Sequence, residues 1–411
     1  MTTAGVLGLF EAFGIELEYM IVDRDTLSVR PIADLLLRAA DGGADWVEDV
    51  ERGPIAWSNE IVAHLVELKT NGPAERLAGL ERSFHTDVLA ANRLLADHGA
   101  MLLGGGAHPL MDPAVETRIW PHGGSEIYAA YDRIFDCRGH GWSNLQSVHL
   151  NLPFADDEQF GRLHAAIRLV LPIIPALAAS SPFLDGRFTG YLDARLETYR
   201  HNQARIPSLT GCVIPERMFS RADYDGLFAR IAADIAPHDP DGLLDPLFLN
   251  SRGAIARFDR NAIEIRTIDI QECPAADLGV VSAVVALLRR LVAEQAVPYR
   301  VQQEWPEDLL AKVLLEVVRD GDQARIRDAD YLRMLGLRGH GMTAGAAWRE
   351  ICEAAHRDFD APAHAALARI LDEGPLARRL LGAVGSSPRR DAMTAACREL
   401  ARCLADNRQF P

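Results

Sequence analysis

Lysine is almost absent from this chain. The sequence has 43 basic residues, of which 41 are arginines and only Lys69 and Lys312 are lysines. Neither lysine stands in a Gly-x-x-x-x-Gly-Lys-Ser/Thr run, so the sequence excludes a P-loop for nucleotide phosphates. A mechanism through a lysine Schiff base has just these two candidate residues.

Paired cysteines and long apolar runs are also missing. No two cysteines stand in a Cys-x-x-Cys spacing, which excludes a zinc ribbon and a thioredoxin-like motif. The longest apolar tract, residues 169–179, has about half the length that spans a bilayer and contains two prolines. The first ten residues lack the positive region of a secretory signal. We therefore expect a soluble protein of the reducing cytoplasm, without a membrane partner.

The charge balance gives no sign of a basic surface. There are 58 acidic residues, and the formal net charge is −15. This balance argues against nucleic acid as a partner, although a small anion can still bind through metal ions. Hydrophobic residues make up 48% of the 411 residues and charged residues 25%, which is typical of a globular protein with a sizeable core.

The sequence does contain a series of strands followed by a series of helices. Apolar alternation and short apolar runs predict strands at 14–22, 61–68, 101–103, 147–152 and 262–270. Helical spacing marks residues 74–98, 161–179 with interruptions at prolines, and most of the chain from 278 onward. This order predicts an α+β fold. We expect a catalytic core over residues 1–295 and a helical region over 296–411 that packs on it.

Two glutamates alternate with apolar residues in the first strand. Ile15, Leu17 and Tyr19 face one side of this strand, and Glu16 and Glu18 face the other. Carboxylates two residues apart lie roughly 7 Å apart along a strand, close enough to share hard cations. The alternative is a solvent-facing strand surface, which glutamate often occupies.

The second strand has a glutamate inside an apolar run. Glu67 is flanked by Val66 and Leu68, and a carboxylate there must be exposed, paired or bound to a metal ion. Lys69 lies on the same face, so a plain Glu–Lys ion pair is the alternative to a metal site. Glu60 precedes this strand at an odd separation from Glu67. The two side chains share a site only if the backbone turns or bulges between them.

Two further strands place pairs of polar side chains on one face. His149 and Asn151 lie together, opposite the apolar residues of their strand, and so do Glu264 and Arg266. A hydrogen-bonded surface histidine and a simple Glu–Arg pair are the alternatives to a functional role. An arginine fork at this place also suits a transferring phosphoryl group.

Together these four strands predict a polar, acidic face on an antiparallel sheet with an apolar back. Carboxylates with at most one histidine suit Mg²⁺ or Mn²⁺ rather than zinc. Clustered like charges need cations, and Mg²⁺ commonly brings nucleotide phosphates. The pattern therefore indicates a site for a magnesium–nucleotide complex.

Six segments in this order resemble the glutamate–cysteine ligase family, in the branch of bacterial carboxylate–amine ligases and plant-like glutamate–cysteine ligases. The resemblance covers roughly residues 12–295. The segments are Phe-Gly-Ile-Glu-Leu-Glu at 13–18, Glu-Leu-Lys-Thr at 67–70, Gly-Ala-His-Pro at 106–109, Val-His-Leu at 148–150, Ala-Ser-Ser-Pro-Phe at 179–183 with Gly-Tyr at 190–191 after it, and Ile-Glu-Ile-Arg at 263–266.

The resemblance implies a fold and a chemistry. The family's fold is a curved antiparallel sheet flanked by helices, similar to glutamine synthetase and guanido kinases. Its members use ATP and Mg²⁺ or Mn²⁺ to activate a carboxylate as an acyl phosphate, and an amine then displaces the phosphate to form an amide. The default reaction joins glutamate and cysteine into γ-glutamylcysteine, with release of ADP and phosphate.

The resemblance also assigns roles to residues. It implies catalytic roles for Glu67, Glu264 and Arg266, with Arg266 near the transferred γ-phosphoryl group, and nucleotide contacts for Arg266 and Lys69. The implied metal ligands are Glu16, Glu18, Glu60, Glu67, His149 and Glu264.

Residues 180–200 correspond to the family's substrate loop, where a basic residue would hold the α-carboxylate of the acid substrate. The candidates are Arg187, Arg195 and Arg200, with Tyr191 beside them. The family's Gly-Tyr-x-Ser-Tyr-Arg run is Gly-Tyr-Leu-Asp-Ala-Arg here, which leaves the acid substrate open. The alternatives are ligation of another acid or amine, phosphoryl transfer without ligation as in guanido kinases, and a catalytically silent binding protein. A homo-oligomer is compatible with each of them.

Overall fold

A computed structural model describes residues 5–411 of the chain. Its strands, in chain order, are β1 (Gly14–Asp23), β2 (Asp49–Arg52), β3 (Ile55–Asn59), β4 (Leu65–Thr70), β5 (Ala100–Leu103), β6 (Ser147–Pro153), β7 (Phe183–Leu184), β8 (Arg187–Phe188), β9 (Ala254–Arg257), β10 (Ala262–Asp269), β11 (Arg325–Ile326) and β12 (Met342–Thr343).

The α-helices surround these strands and dominate the last third of the chain. They are α1 (Ala33–Asp41), α2 (Leu80–Ala96), α3 (Pro113–Glu116), α4 (Ser125–Phe135), α5 (His140–Ser143), α6 (Asp157–Val170), α7 (Pro175–Ala178), α8 (Ala194–Tyr199), α9 (Arg221–Ile235), α10 (Pro246–Leu249), α11 (Pro274–Val292), α12 (Tyr299–Gln302), α13 (Glu307–Asp320), α14 (Ala329–Met334), α15 (Ala344–Ala354), α16 (Ala361–Glu373), α17 (Leu376–Val384) and α18 (Arg390–Asp406).

One eight-stranded sheet organises the fold. Its strand order is β2-β3-β4-β1-β6-β10-β9, and β5 pairs with the second half of β1. Every pair of neighbouring strands in it is antiparallel. The predicted α+β class, with an antiparallel sheet flanked by helices, is confirmed.

The apolar back of the sheet forms one large core with the helices. Alternation along the strands turns Ile15, Leu17 and Leu150 to this side, and all three are fully buried. They belong to the same cluster of buried residues as Phe84 of α2 and Val284 of α11. Because alternate residues of β1, β6 and β10 turn to this core, the charged residues between them are left on the opposite face, where Met20 and Val22 at the end of β1 join a second, smaller cluster.

The chain between β3 and β4 differs from the expected strand at 61–68. Strand β4 begins at Leu65, and residues 60–64 turn instead. His64 in this turn is buried, and its ring lies 2.7 Å from the carbonyl oxygen of Ser143. Ala63 donates its N–H to Arg118 at 2.8 Å rather than to a sheet neighbour. Tertiary contacts therefore cover the apolar residues of this turn, which sequence periodicity alone reads as strand.

The two predicted helices are shorter than expected. Helix α2 begins at Leu80 rather than at residue 74, because Ala74 exchanges backbone hydrogen bonds of 2.8 and 2.9 Å with Phe13. Helix α6 ends at Val170, and α7 begins at Pro175. The predicted interruption at the prolines of 161–179 is therefore confirmed.

Helices α13 and α15 pack on the same core. Leu310 and Leu314 of α13 belong to the buried cluster behind the sheet. Trp348 of α15 is buried and donates its indole N–H to the carbonyl of Ile173 at 2.7 Å. The boundary between residues 295 and 296 stays a prediction. Among the described residues, no helix combines the length and apolar character needed to cross a bilayer.

Candidate active site

A cavity of about 930 Å³ lies over the polar face of the sheet. Strand register explains which side chains meet there. Glu16 of β1 is paired with His149 of β6 on one side and with Lys69 of β4 on the other, and Glu18 is paired with Glu67. All six expected metal ligands line this cavity, together with Lys69, Arg195 and Arg266.

Glu16, His149 and Glu264 form a close group within the cavity. The Nδ1 atom of His149 lies 2.8 Å from Oε2 of Glu16 and 3.8 Å from Oε1 of Glu264. One ligand atom from each residue lies within 4.8 Å of those of the other two. Asn151 donates its side-chain amide to Oε1 of Glu16 at 3.1 Å, which fixes the orientation of that carboxylate.

Glu18 is held beside this group by the start of β6. Its Oε2 atom accepts hydrogen bonds from the backbone N–H and the hydroxyl of Ser147, at 2.7 and 2.9 Å. Its other oxygen lies 3.7 Å from Nε2 of His149. Ser147 therefore orients a carboxylate and also touches the imidazole, since its hydroxyl is 3.0 Å from the same Nε2.

Glu67 sits on the neighbouring strand, and its contacts come from β3 and β4. Its Oε1 accepts from the hydroxyl of Ser58 at 2.8 Å and lies 3.4 Å from the ammonium of Lys69. Lys69 is also paired with Asp49 at 2.7 Å. The Glu–Lys pair considered as the alternative to a metal site is therefore present, but both residues line the cavity.

Glu60 reaches the same cavity through the turn after β3. Its odd separation from Glu67 had required a backbone turn, and residues 60–64 provide it. Burial and the negative charges of Glu18 and Glu67 raise the pKa of Glu60 well above its ordinary value. This shift follows from several carboxylates packed close together.

Burial and neighbouring charges shift the pKa values of Glu16, Glu67 and His149. Burial alone would raise the pKa of Glu16, but its hydrogen bond with His149 and the charges of His149 and Arg266 lower it to about 2. Burial and the charge of Glu16 raise the pKa of Glu67 to about 7, although Lys69 opposes this. Burial would lower the pKa of His149, yet the hydrogen bond to Glu16 and the charge of Glu18 raise it to about 9.

The residues present fit a divalent metal ion. The five carboxylates expected as ligands share the cavity with one imidazole, a donor set that suits Mg²⁺ or Mn²⁺, and Glu48 and Asp49 add two further carboxylates to the lining. Burial first, and neighbouring carboxylates second, raise the pKa values of Glu60 and Glu67. A divalent cation would supply positive charge beside these carboxylates.

Strand β10 contributes the arginine of the site. The Nε–H of Arg266 donates to Oε1 of Glu264 at 2.5 Å, and Arg257 of β9 donates to Oε2 of the same carboxylate at 3.3 Å. Glu264 is almost fully buried, whereas a quarter of the Arg266 side chain is exposed. The Glu–Arg pair considered as the alternative to a functional role is present, and the buried carboxylate of Glu264 orients the guanidinium groups of Arg266 and Arg257 at the cavity wall.

The candidates from residues 180–200 separate in the structure. Arg195 of α8 lines the cavity and is 2% exposed. Arg187 is 78% exposed and pairs with Asp185, and Arg200 pairs with Glu197 at 2.7 Å. Neither arginine belongs to the described lining of the cavity, and Tyr191 does not either.

Sequence reasoning missed several residues that line the cavity. They include Ser58, Ser147, Tyr128, Trp142, Tyr199, Arg257 and Arg260. Two of them carried a readable signal. Ser58 lies on β3, which pairs with the strand of Glu67, and Arg257 lies on β9, which pairs with the strand of Glu264. Each of the two residues precedes a predicted strand by a short turn, which is the sequence signal of a hairpin. The aromatic residues Tyr128, Trp142 and Tyr199 come from helices α4, α5 and α8, and no local pattern indicates them.

Comparison with known proteins identifies the family. The sequence profile described as glutamate–cysteine ligase family 2 matches residues 12–400. A protein of unassigned function from Archaeoglobus fulgidus is 31% identical over 398 residues, which are 97% of this chain and 99% of the relative. A protein provisionally named glutamate–cysteine ligase 2 in Cupriavidus metallidurans is 32% identical over 191 residues, 45% of this chain and 46% of the relative.

Two crystal structures share the fold. The glutamate–cysteine ligase of Francisella tularensis in complex with AMP has a TM-score of 0.64 and 11% identity, and the match covers 98% of this chain and 90% of that one. A bifunctional glutathione synthetase from Pasteurella multocida has a TM-score of 0.57 and 14% identity, covering 97% of this chain and 52% of that one. At these identities the likeness concerns the fold alone. On the profile match and the full-length relative, the chain belongs to glutamate–cysteine ligase family 2 and is an enzyme of the ligase class.

Proposed function

We propose that this protein is an ATP-dependent carboxylate–amine ligase that forms a γ-glutamyl-type amide through an acyl phosphate, with glutamate and cysteine as the default substrates. The supporting observation is one cavity, in a member of this ligase family, that combines six glutamates, a histidine and an arginine paired with a buried glutamate. A cavity of about 930 Å³ is large enough for a nucleotide and a small acid together.

The metal ions of this proposal are Mg²⁺ or Mn²⁺. The residues that would hold them are Glu16, Glu18, Glu60, Glu67, His149 and Glu264. When bound, the ions would neutralise the phosphate charges of ATP in a site that is otherwise acidic. Lys69 and Arg266 are the nucleotide contacts of the proposal, since both are cations that line the same cavity.

The chemistry takes place in two displacements. A carboxylate oxygen of the acid attacks the γ-phosphorus of ATP, and the bond from phosphorus to the ADP oxygen breaks. The amine nitrogen then attacks the acyl carbon, the bond to the phosphate oxygen breaks, and the nitrogen loses a proton. Arg266 donates hydrogen bonds to the γ-phosphoryl oxygens as charge moves between them. No protein nucleophile is needed in either step.

The test is a reconstitution with purified protein. ATP, Mg²⁺, glutamate and a panel of amines that includes cysteine are supplied together, and ADP, phosphate and the product mass are followed. Matched reactions omit the acid, the amine or the metal ion. The proposal expects ADP and phosphate to appear only when acid, amine and metal ion are all present, with an amide of the corresponding mass.

Other results lead to other functions. A phosphorylated amine without amide formation would assign phosphoryl transfer of the guanido kinase type. Turnover with another acid in place of glutamate would keep the ligation chemistry and change the substrate. Binding of ATP without turnover of any panel member would contradict the ligase proposal and favour a binding protein.

A further inference from the structure

Strand β10 contains a β-bulge at the proposed catalytic arginine. Ile265 pairs with Leu150 of β6, but the next pair joins Ile268 to Val148, so Arg266 and Thr267 together oppose one residue of β6. A bulge bends the strand and redirects the side chains at that point. The direction of the Arg266 side chain therefore depends on how the bulge is held.

Arg195 spans this bulge with two hydrogen bonds. Its Nη2 donates to the backbone carbonyl of Arg266 at 3.1 Å, and its Nε donates to the carboxylate of Asp269. Arg195 is 2% exposed, and Asp269 is completely buried. One guanidinium group thus connects the first residue of the bulge to a residue just beyond it.

Asp269 is itself immobilised by the 179–183 segment. Its Oδ2 accepts from the backbone N–H of Ser180 at 2.9 Å and from the hydroxyl of Ser181 at 2.7 Å. A Cβ atom on Gly106 would lie 2.6 Å from the same oxygen, so the backbone packs tightly against this carboxylate. The anchor at the far end of the bulge is therefore rigid.

The start of helix α8 fixes Arg195 in turn. Asp193 caps this helix by accepting from the backbone N–H of Leu196 at 2.7 Å, and the N–H of Arg195 donates to the hydroxyl of Ser181 at 2.9 Å. Two side-chain nitrogens of Arg195 are committed to the protein, although the sequence resemblance makes it a candidate for binding the substrate carboxylate.

We propose that Arg195, anchored by Asp269, is a positioning residue that holds the β10 bulge so that Arg266 points into the cavity. The inference rests on the proposed role of Arg266 in phosphoryl transfer. Arg195 acts through the backbone of Arg266, and it is not required to touch the substrate.

Three variants test this role. Arg195→Lys keeps the charge but replaces the planar fork, whose Nε and Nη2 reach separate acceptors, with a single ammonium nitrogen, and Asp269→Asn weakens the anchor while keeping its size. Arg379→Lys is the control, because Arg379 is equally buried, pairs with Glu272 at 2.7 Å and donates to the carbonyl of Phe410, but lies outside the cavity.

The expected results distinguish a positioning role of Arg195 from substrate binding and from a general effect on the stability of the fold. The Arg195 and Asp269 variants should each lose about tenfold to a hundredfold in kcat, with the KM values for acid and ATP changed less than about threefold. The Arg379 variant should keep its kcat. Arg195→Lys should cause no further loss in a protein that already carries Arg266→Lys, because both changes act on one group.

Crystal structures of the wild type and the Arg195 variant in one crystal form complete the test without turnover. The proposal expects the Arg266 side chain to leave its position against Glu264 in the variant. An unmoved Arg266, a rise in the KM of the acid with unchanged kcat, or an equal kcat loss in the control would overturn it. If the wild type turns over no substrate, the proposed function fails, and the two structures still decide the positioning role.

Discussion

Glu16 and Glu67 line one cavity, yet their pKa values move in opposite directions, to about 2 and to about 7. His149 and Arg266 favour the charged form of Glu16, whereas burial and the charge of Glu16 itself favour the neutral form of Glu67. A carboxylate crowded by like charges in this way is better suited to a cation than to stabilising the fold.

The first prediction concerns these crowded carboxylates. Glu67→Gln and Glu264→Gln should each lower kcat by roughly a hundredfold or more, because each removes negative charge from the proposed metal site. The melting temperature of Glu67→Gln should stay equal or rise, since a like-charge contact is removed. Steady-state kinetics and thermal unfolding measure both effects.

The matched control for these variants is Glu51→Gln. Glu51 lies on β2 of the same sheet but is exposed and outside the cavity, so this change should leave kcat unaltered. Near-normal activity of either cavity variant would remove that residue from the metal site.

Arg266 carries the second prediction at the residue scale. Arg266→Lys should lower kcat by roughly a hundredfold, because one ammonium group cannot reproduce the fork of a guanidinium held by Glu264. Exposed Arg349, which pairs with Asp372 at 2.9 Å, provides the control substitution Arg349→Lys. Full kcat in the Arg266 variant would contradict its part in phosphoryl transfer.

At the scale of elements, the glycine run after β5 contacts β10 and the residues that follow it. A Cβ atom on Gly104 would lie 2.7 Å from the carbonyl oxygen of Gln271, and one on Gly106 would lie 2.6 Å from Asp269. These glycines allow a close approach between two backbone segments, and they are not among the described residues that line the cavity.

The prediction for this element is a loss of stability at Gly106. Gly106→Ala should lower the free energy of unfolding by about 1–3 kcal/mol, because the added methyl group overlaps a rigid, buried carboxylate. Urea denaturation followed by circular dichroism measures the change.

A second glycine gives a control of opposite sign. Gly226 is exposed within α9, and a Cβ atom there meets no atom within 4 Å. Gly226→Ala should raise the free energy of unfolding by about 0.5–1 kcal/mol, since alanine is the better helix former. A Gly106 variant as stable as the wild type would show that Asp269 is less tightly held than its contacts indicate.

At the scale of the whole molecule, the interior contains histidines that stay neutral. Burial lowers the pKa of His64 to about 4 and that of His164 to about 3, with the charge of Arg168 adding to the effect on His164. His164 contacts the hydroxyl of Tyr224 at 2.7 Å, deep in the core. Charging these rings would place a positive charge in the buried core, which is costly.

The fold should therefore lose stability in acid. The folded-state pKa of His164 lies below its ordinary value of 6.5. The part of the free energy of unfolding that depends on its neutral ring is therefore complete above pH 6.5 and is lost as the pH falls toward 3. Between pH 6.5 and pH 5 this one residue should cost roughly 2 kcal/mol. Urea denaturation of His164→Gln across this range should show a weaker pH dependence than the wild type.

Exposed His98 gives the control for the pH series. His98→Gln should retain the pH dependence of the wild type. If His164→Gln retained it as well, the acid sensitivity of the fold would have to arise from other groups.

The sequence by itself determined which residues share a face. Alternation has a period of two residues and is a local property, so Glu16 with Glu18, His149 with Asn151, and Glu264 with Arg266 could be grouped without knowing the fold. The apolar residues between them predicted the buried back of the sheet in the same way.

Only the tertiary structure decided how these groups meet. The strand order, the turn that brings Glu60 beside Glu67, and the bulge held by Arg195 all depend on partners far away in the chain. A local pattern contains no information on which strands become neighbours, because hydrogen bonding between strands is non-local. For the same reason the sequence listed Arg187, Arg195 and Arg200 as equals, and the packing around Asp269 set Arg195 apart.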